Sequence, residues 1–292
     1  MRFEATDGVE LVGLLYEPKR KTKRAAIFLH GTGGSSIFDA KRTNVLAAEL
    51  LAHGMAFFPF NNRGAHVLRR LRRRKRSING GAAHELIRDC VKDIDGALRE
   101  LRARGYSDIT LIGHSTGANK VAVYDFHKPR NPVKRYVLLA GGDDTGMTLA
   151  NLGERRSRAA LEKAKARIKA KRGDELVPKG LSSMPISWRS FLDMNNPDGD
   201  YNVFPFYEVM QNLRAGRRPH FRHVKGIRKP ALFLYGDEDE YLYGDVSRCV
   251  GILADALGPK PNVELAVLAD ADHGFGGKER QLVETIVNWM AD

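Results

Sequence analysis

Gly113-His114-Ser115-Thr116-Gly117 sets a serine midway between two glycines. That spacing suits a sharp strand-to-helix turn, where residues two before and two after the hydroxyl must be small to clear the corner. A serine lifted on such a corner sits beside the positive end of the following helix and can attack a carbonyl carbon. The pattern alone is weak, since roughly one chain in ten of this length would hold it by chance. Its flanks add weight. The apolar stretch 109–112 reads as a strand leading in, and Ala118, Val121, Ala122 and Tyr124 continue as a helix leading out.

A serine nucleophile needs a base, an acid to orient that base, and donors for the oxygen that becomes negative. His273, in Asp270-Ala271-Asp272-His273-Gly274-Phe275, is the one histidine of nine beyond the last predicted strand. From there it can take the hydroxyl proton and return it to the leaving group. Gly236-Asp237-Glu238-Asp239-Glu240 follows the preceding strand, which gives the chain order serine, acid, histidine. Spacing leaves Asp237, Glu238 and Asp239 all open as the acid. His30-Gly31-Thr32-Gly33-Gly34 follows an early strand, and its glycines let backbone come close to a ligand. The N–H groups of Thr32 and Thr116 are the natural pair of oxyanion donors. No Lys-Ser or Lys-Thr follows these glycines, so a Walker phosphate loop is not supported. His30 itself reads as structural.

The elements that must position these residues follow from hydrophobic pattern. Stretches 3–6 and 11–16 flank Asp7-Gly8 and predict a hairpin. Continuous apolar runs at 25–29, 55–60, 109–112, 136–140 and 231–235 predict strands buried on both faces, and 263–268 predicts one more strand. Pro59 weakens the end of the second of these. Helical periodicity predicts helices over 41–53, from about 82 or 88 to 104, over 116–126 and 246–257, and one carrying Leu282, Val283, Ile286, Val287 and Met290. Strands alternating with helices predict an α/β fold: a mostly parallel sheet flanked by helices. The alternation stops between Gly141 and Arg228, a gap too long for a bare loop. It reads as an inserted helical cap over 141–228, dividing a core of 1–140 and 229–292. A helix is expected from about Glu154 to Lys171, followed by an aromatic-rich stretch. There Trp188, Phe191 and Phe204 are candidates for a substrate pocket, the other reading being the cap's own core.

The chain of 292 residues is 42% hydrophobic, enough for a sizeable packed core. No basic start followed by an apolar run marks a signal peptide, and no stretch reaches the ~18 apolar residues of a membrane span. A soluble, cytoplasmic protein is expected. Cys90 and Cys249 lie in helical patterns and read as buried free thiols. The net charge of +13 is unevenly spread: seven of the eight residues 69–76 are Arg or Lys, and a second basic cluster runs over 155–172. The first run reads as a solvated loop, then as attraction to an anionic substrate or surface, and least as nucleic-acid binding.

HGTGG after the early strand, GHSTG at the corner, GDED after the penultimate strand and DHGF near the end together resemble the α/β-hydrolase superfamily, and their order spans most of the chain. The resemblance implies a serine hydrolase of esterase or lipase type. It favours Asp239 as the acid, since members carry it as the fourth residue of a Gly-x-x-Asp turn. It assigns the oxyanion role to Thr32 and Thr116 by position. More loosely, Glu175-Leu176-Val177-Pro178, the stretch 185–192 and Val203-Phe204-Pro205-Phe206 resemble a group of fungal and bacterial hydrolases that includes siderophore esterases. A carboxylic-ester substrate is the default, because ester hydrolysis needs only the triad, the donors and water; no metal or cofactor is expected. Thioesterase, amidase, peptidase and acyltransferase chemistry stay open on the same triad. A non-catalytic or nucleic-acid-binding protein is the rival of a different class.

Overall fold

Apolar runs without polar alternation become the middle of one sheet. The computed structural model describes residues 1–33, 35–38 and 41–291, without the side chains of Lys41 and Arg42; Gly34 of the early glycine segment lies outside the described residues. The strands of the sheet are β1 (Arg2–Glu4), β2 (Glu10–Gly13), β3 (Arg24–Leu29), β4 (Ala56–Asn61), β7 (Asp108–His114), β8 (Arg135–Leu139), β9 (Ala231–Gly236) and β10 (Val263–Leu268), with β5 (Arg69–Arg73) and β6 (Arg76–Gly80) forming a separate hairpin. Their order is β1-β2-β4-β3-β7-β8-β9-β10. From β4 to β10 neighbours are parallel; β2 is antiparallel to both β1 and β4. Pro59 is tolerated inside β4 because its carbonyl, and hence its missing N–H, faces the short β2 side, where Leu14 N–H bonds it; the parallel ladder to β3 is intact.

From β3 the chain passes through α1 (Lys41–Ala52) to β4 on one side. From β7 it passes through α3 (Thr116–His127) to β8 on the other side. Right-handed crossovers running in opposite directions put α1 and α3 on opposite faces. They also make a switch point between β3 and β7, where ligands bind in open parallel sheets. α2 (Cys90–Ala103) packs on α3, and α10 (Glu279–Ala291) packs on α1. The helix read from as early as residue 82 starts later, after a single 3-10 turn at Ile87–Asp89. Its entry is fixed from outside: the Ile87 N–H donates to Asp193 at 2.7 Å.

The basic run at 69–76 is ordered, and this corrects the loop reading. Arg70 bonds Ser77 and Asn79 across the hairpin, and Arg73 pairs with Val9 beside the β1–β2 turn. Beneath it Arg63 bonds Asp93 at 2.6 Å and Asp7 at 3.1 Å, almost out of solvent. Removing the cation strands Asp93 in the interior. Arg63→Met should therefore lower stability by about 3–5 kcal/mol, read from the urea midpoint.

Between β8 and β9 lie α4 (Asp144–Leu152), α5 (Glu154–Lys169), α6 (Trp188–Asn195), α7 (Phe206–Met210) and α8 (Arg222–Lys225), followed after β9 by α9 (Val246–Leu257). This insert is not uniform. Ala160, Ala164, Ile186, Trp188 and Phe191 form a small hydrophobic cluster of their own. Tyr201, Val203, Phe204, Phe206 and Phe221 instead join the core of the sheet. Among the described residues no helix is long and apolar enough to cross a membrane.

Candidate active site

Leu29 at the end of β3 pairs with Gly113 near the end of β7, so the glycine segment and the serine corner leave the sheet side by side at the switch point. Ser115 takes φ 57° and ψ −129°, a left-handed backbone that costs a non-glycine residue about 1–3 kcal/mol. It is held there by its neighbours. A Cβ on Gly113 would collide with the Gly117 carbonyl, and one on Gly117 with the Leu29 carbonyl. The Ser115 N–H is used by the Leu139 carbonyl at 2.9 Å. Thr116 is the first residue of α3, where an N–H has no acceptor within the helix.

Asp239 follows β9 and His273 follows β10, on two loops that touch. A Cβ on Gly236 would run into the Ala271 carbonyl, so the glycine is what lets the loops close. His273 Nδ1 lies 3.0 Å from each carboxylate oxygen of Asp239, which is almost fully buried. Asp239 also accepts the Tyr241 N–H at 3.0 Å. Asp237, Glu238 and Glu240 are exposed. Asp237 accepts a backbone N–H, from Ala271 at 3.3 Å, and Glu240 accepts the His273 N–H at 3.0 Å. Of the open acidic candidates, the folded chain thus brings Asp239 to the imidazole ring. A carboxylate on Nδ1 fixes the tautomer that leaves Nε2 free to accept a proton.

Several residues around this pair escaped the sequence reading. His114 Nε2 donates to the His273 carbonyl at 2.7 Å, and the two rings lie 5.1 Å apart. The Tyr241 ring packs at 4.5 Å from that of His273. Both pack against His273, and nothing in their local sequence signals it. His30 is buried, with Nδ1 on the Gly31 carbonyl at 2.6 Å. Burial, with Lys120 nearby, lowers its pKa to about 3, so the ring is neutral at pH 7 and fits a structural role. Lys120 itself is fully buried on α3 and paired with Glu85 at 2.7 Å.

A cavity of about 350 Å³ opens beside Thr32, walled by Asp144, Met147, Leu152, Leu181, Met184 and Met194 among others. Trp188, Phe191 and Phe204 are not on that wall. Trp188 and Phe191 fill the insert's small cluster, and Phe204 packs on Phe206, Phe233 and Gly141. The reason is burial: large aromatics gain more by being enclosed than by lining a wet cavity. Flexible methionines and leucines line it instead. Asp144 touches the corner directly, with Thr116 Oγ1 3.5 Å from its carboxylate. Its signal lies in the sequence, since Asp143-Asp144 leaves the carboxyl end of a predicted strand.

The family model described as "Alpha/beta hydrolase family" matches residues 26–284. No curated protein matches the sequence. Among solved structures, Est1E from Butyrivibrio proteoclasticus with ferulic acid bound has a TM-score of 0.64 at 15% identity, covering 99% of this chain and 97% of its own. A soluble variant of monoglyceride lipase from Saccharomyces cerevisiae, in complex with a substrate analogue, gives 0.62 at 16%, with 99% and 94% covered. The esterase EaEST from Exiguobacterium antarcticum gives 0.57 at 16%, with 100% and 99% covered. At such identities the likeness is one of fold.

Proposed function

The chain belongs to the α/β-hydrolase family, and on that premise we propose that it is a serine esterase acting through Ser115, His273 and Asp239. The observation that carries the reading is the Asp239–His273 contact, equidistant at 3.0 Å and shielded from solvent, on the same sheet edge as a serine held at positive φ. Ser115 Oγ attacks the ester carbonyl while His273 Nε2 takes its proton. The oxygen turns negative between the N–H groups of Thr32 and Thr116, at the positive end of α3. His273 then protonates the departing alcohol, leaving an acyl group on Ser115. Water, deprotonated by the same imidazole, releases the acid and restores the serine. The step needs no group beyond these residues and water. Labelling of Ser115 by a small fluorophosphonate, followed by turnover of p-nitrophenyl esters of graded acyl length, tests it. An unlabelled Ser115 with no ester turned over would end the reading.

The first part of the insert, with its own cluster, acts in this reading as a cap over the site. Leu181 and Met184 on the cavity wall, rather than Trp188, set which chain fits. Leu181→Ala should shift the acyl-length preference by about 1–3 kcal/mol in kcat/KM. Trp188→Ala should instead cost about 3–5 kcal/mol of stability while any remaining folded enzyme keeps the parental profile. The acyl-length series on both variants, with urea curves alongside, checks the pair. An unmoved Leu181→Ala profile would place the acyl chain elsewhere.

A further inference from the structure

Among the described residues that line the cavity beside Thr32, Asp144 is the one ionisable side chain. The other described lining residues are Leu, Met, Ser, Thr, Asn and Gly. Among the described residues no lysine, arginine or histidine nitrogen lies within 4.0 Å of the Asp144 carboxylate. Lys120, the nearby buried cation, is already paired with Glu85 at 2.7 Å. A half-buried carboxylate facing a cavity whose described wall offers no cation is expensive unless something supplies one. Its place makes the cost larger during reaction. Asp144 is joined through the Thr116 hydroxyl to the residue whose N–H faces the developing oxyanion. Two negative charges that close oppose each other in the transition state.

A positive group on the substrate, lodged in the cavity, would turn that opposition into attraction. We propose that Asp144 is the specificity-determining carboxylate of the site, and that the preferred substrate is an ester carrying a protonated amine on the half that enters the cavity. This rests on the serine-esterase reading above. It reverses what the outer surface suggests: the exterior is basic, with net charge +13, but the cavity rejects anions. A substrate ammonium would donate to Asp144, and a charge-assisted hydrogen bond of that kind is about twice as strong as a neutral one.

The carboxylate is also poised to lose its charge. Burial raises its pKa to about 6, against the opposing pull of His273, Lys120 and the Thr116 hydroxyl. Asp143, Tyr201 and Tyr243 are the other titratable groups that face it. Asp144 is therefore ionised above about pH 6 and neutral below it.

The experiment compares two isosteric pairs. Ethyl 6-aminohexanoate against ethyl heptanoate places the charge in the acyl half, and 2-(dimethylamino)ethyl acetate against 3-methylbutyl acetate places it in the alcohol half. For the half that enters the cavity, kcat/KM at pH 8 should favour the cation by about tenfold or more. Both members of a pair use the same triad, so its titration cancels from the ratio. The ratio should fall toward one as pH drops from 8 to 5. Asp144→Asn should abolish it at pH 8 while Ser115 is still labelled by the fluorophosphonate. If the neutral esters are turned over but neither pair shows a preference, or if Asp144→Asn leaves the ratio unchanged, the assignment of Asp144 is overturned and the esterase reading stands. Should Asp144→Asn fail to fold, the pH dependence of the parental ratio decides alone, a flat ratio overturning the proposal. If no ester is turned over and Ser115 is not labelled, the esterase reading fails and this assignment falls with it.

Discussion

Ser115→Ala is expected to leave the protein folded and to remove about three to six decades of kcat toward any ester the parent hydrolyses. The fold should survive because the constraint at this corner lies in the backbone. Gly113 and Gly117 give the room, Leu139 takes the residue 115 N–H, and α3 starts from the same point. None of these uses the serine hydroxyl. In the proposed mechanism the Thr32 and Thr116 N–H groups and the cavity remain in the variant, so some rate above water should persist. Single-turnover kinetics and a urea midpoint on the variant measure both halves of the statement. Labelling at a different serine with full activity retained would move the nucleophile elsewhere.

Asp239→Asn should cost about four decades of kcat, the scale reached when the carboxylate behind a catalytic imidazole becomes an amide. The mechanism is a tautomer error. Asp239 accepts from both His273 Nδ1 and the Tyr241 N–H. An amide can keep the Tyr241 bond with its oxygen only by turning its NH2 toward the imidazole. That NH2 stands 3.0 Å from Nδ1 and favours an accepting Nδ1, which shifts the proton to Nε2, where the serine needs a base. Asp237→Asn removes charge from an exposed side chain that accepts a 3.3 Å bond from the Ala271 N–H. It should change kcat by less than about tenfold, since surface substitutions of this kind stay within a fraction of a kcal/mol. Parallel kcat measurements on the two variants decide the matter, and a crippled Asp237→Asn beside a healthy Asp239→Asn would reverse the assignment.

Some of this protein was written in short stretches of sequence. The serine corner was readable because its requirements are local: small residues two before and two after, an apolar run leading in, and a helical pattern leading out. The strand at 263–268 and the helix at 246–257 have in the structure the bounds that hydrophobic period alone assigns them. Central parallel strands such as β9 are enclosed on both faces and read as unbroken apolar runs, whereas β10 at the sheet edge is half-buried and carries Glu264; surface helices keep one apolar stripe. Other features depended on which segments meet. Four acidic residues after β9 look alike in sequence, and only the closure of two loops over Gly236 puts Asp239 on the imidazole and leaves the others outside. The run at 69–76 pairs as a hairpin because it lies on the β1–β2 turn, a partner some sixty residues away in the chain. Trp188 and Phe204 announced burial, but pattern says that a side chain is enclosed and not by what. One packs inside the insert and the other inside the sheet core. Asp144 is the furthest case. Nothing in Asp143-Asp144 distinguishes its two carboxylates, yet the first is tied to Gly146, Tyr207 and Tyr243 while the second faces the cavity beside Thr116. That choice is made by where α4 leaves the sheet, because the direction of a side chain at a strand end is set by the element packed against it.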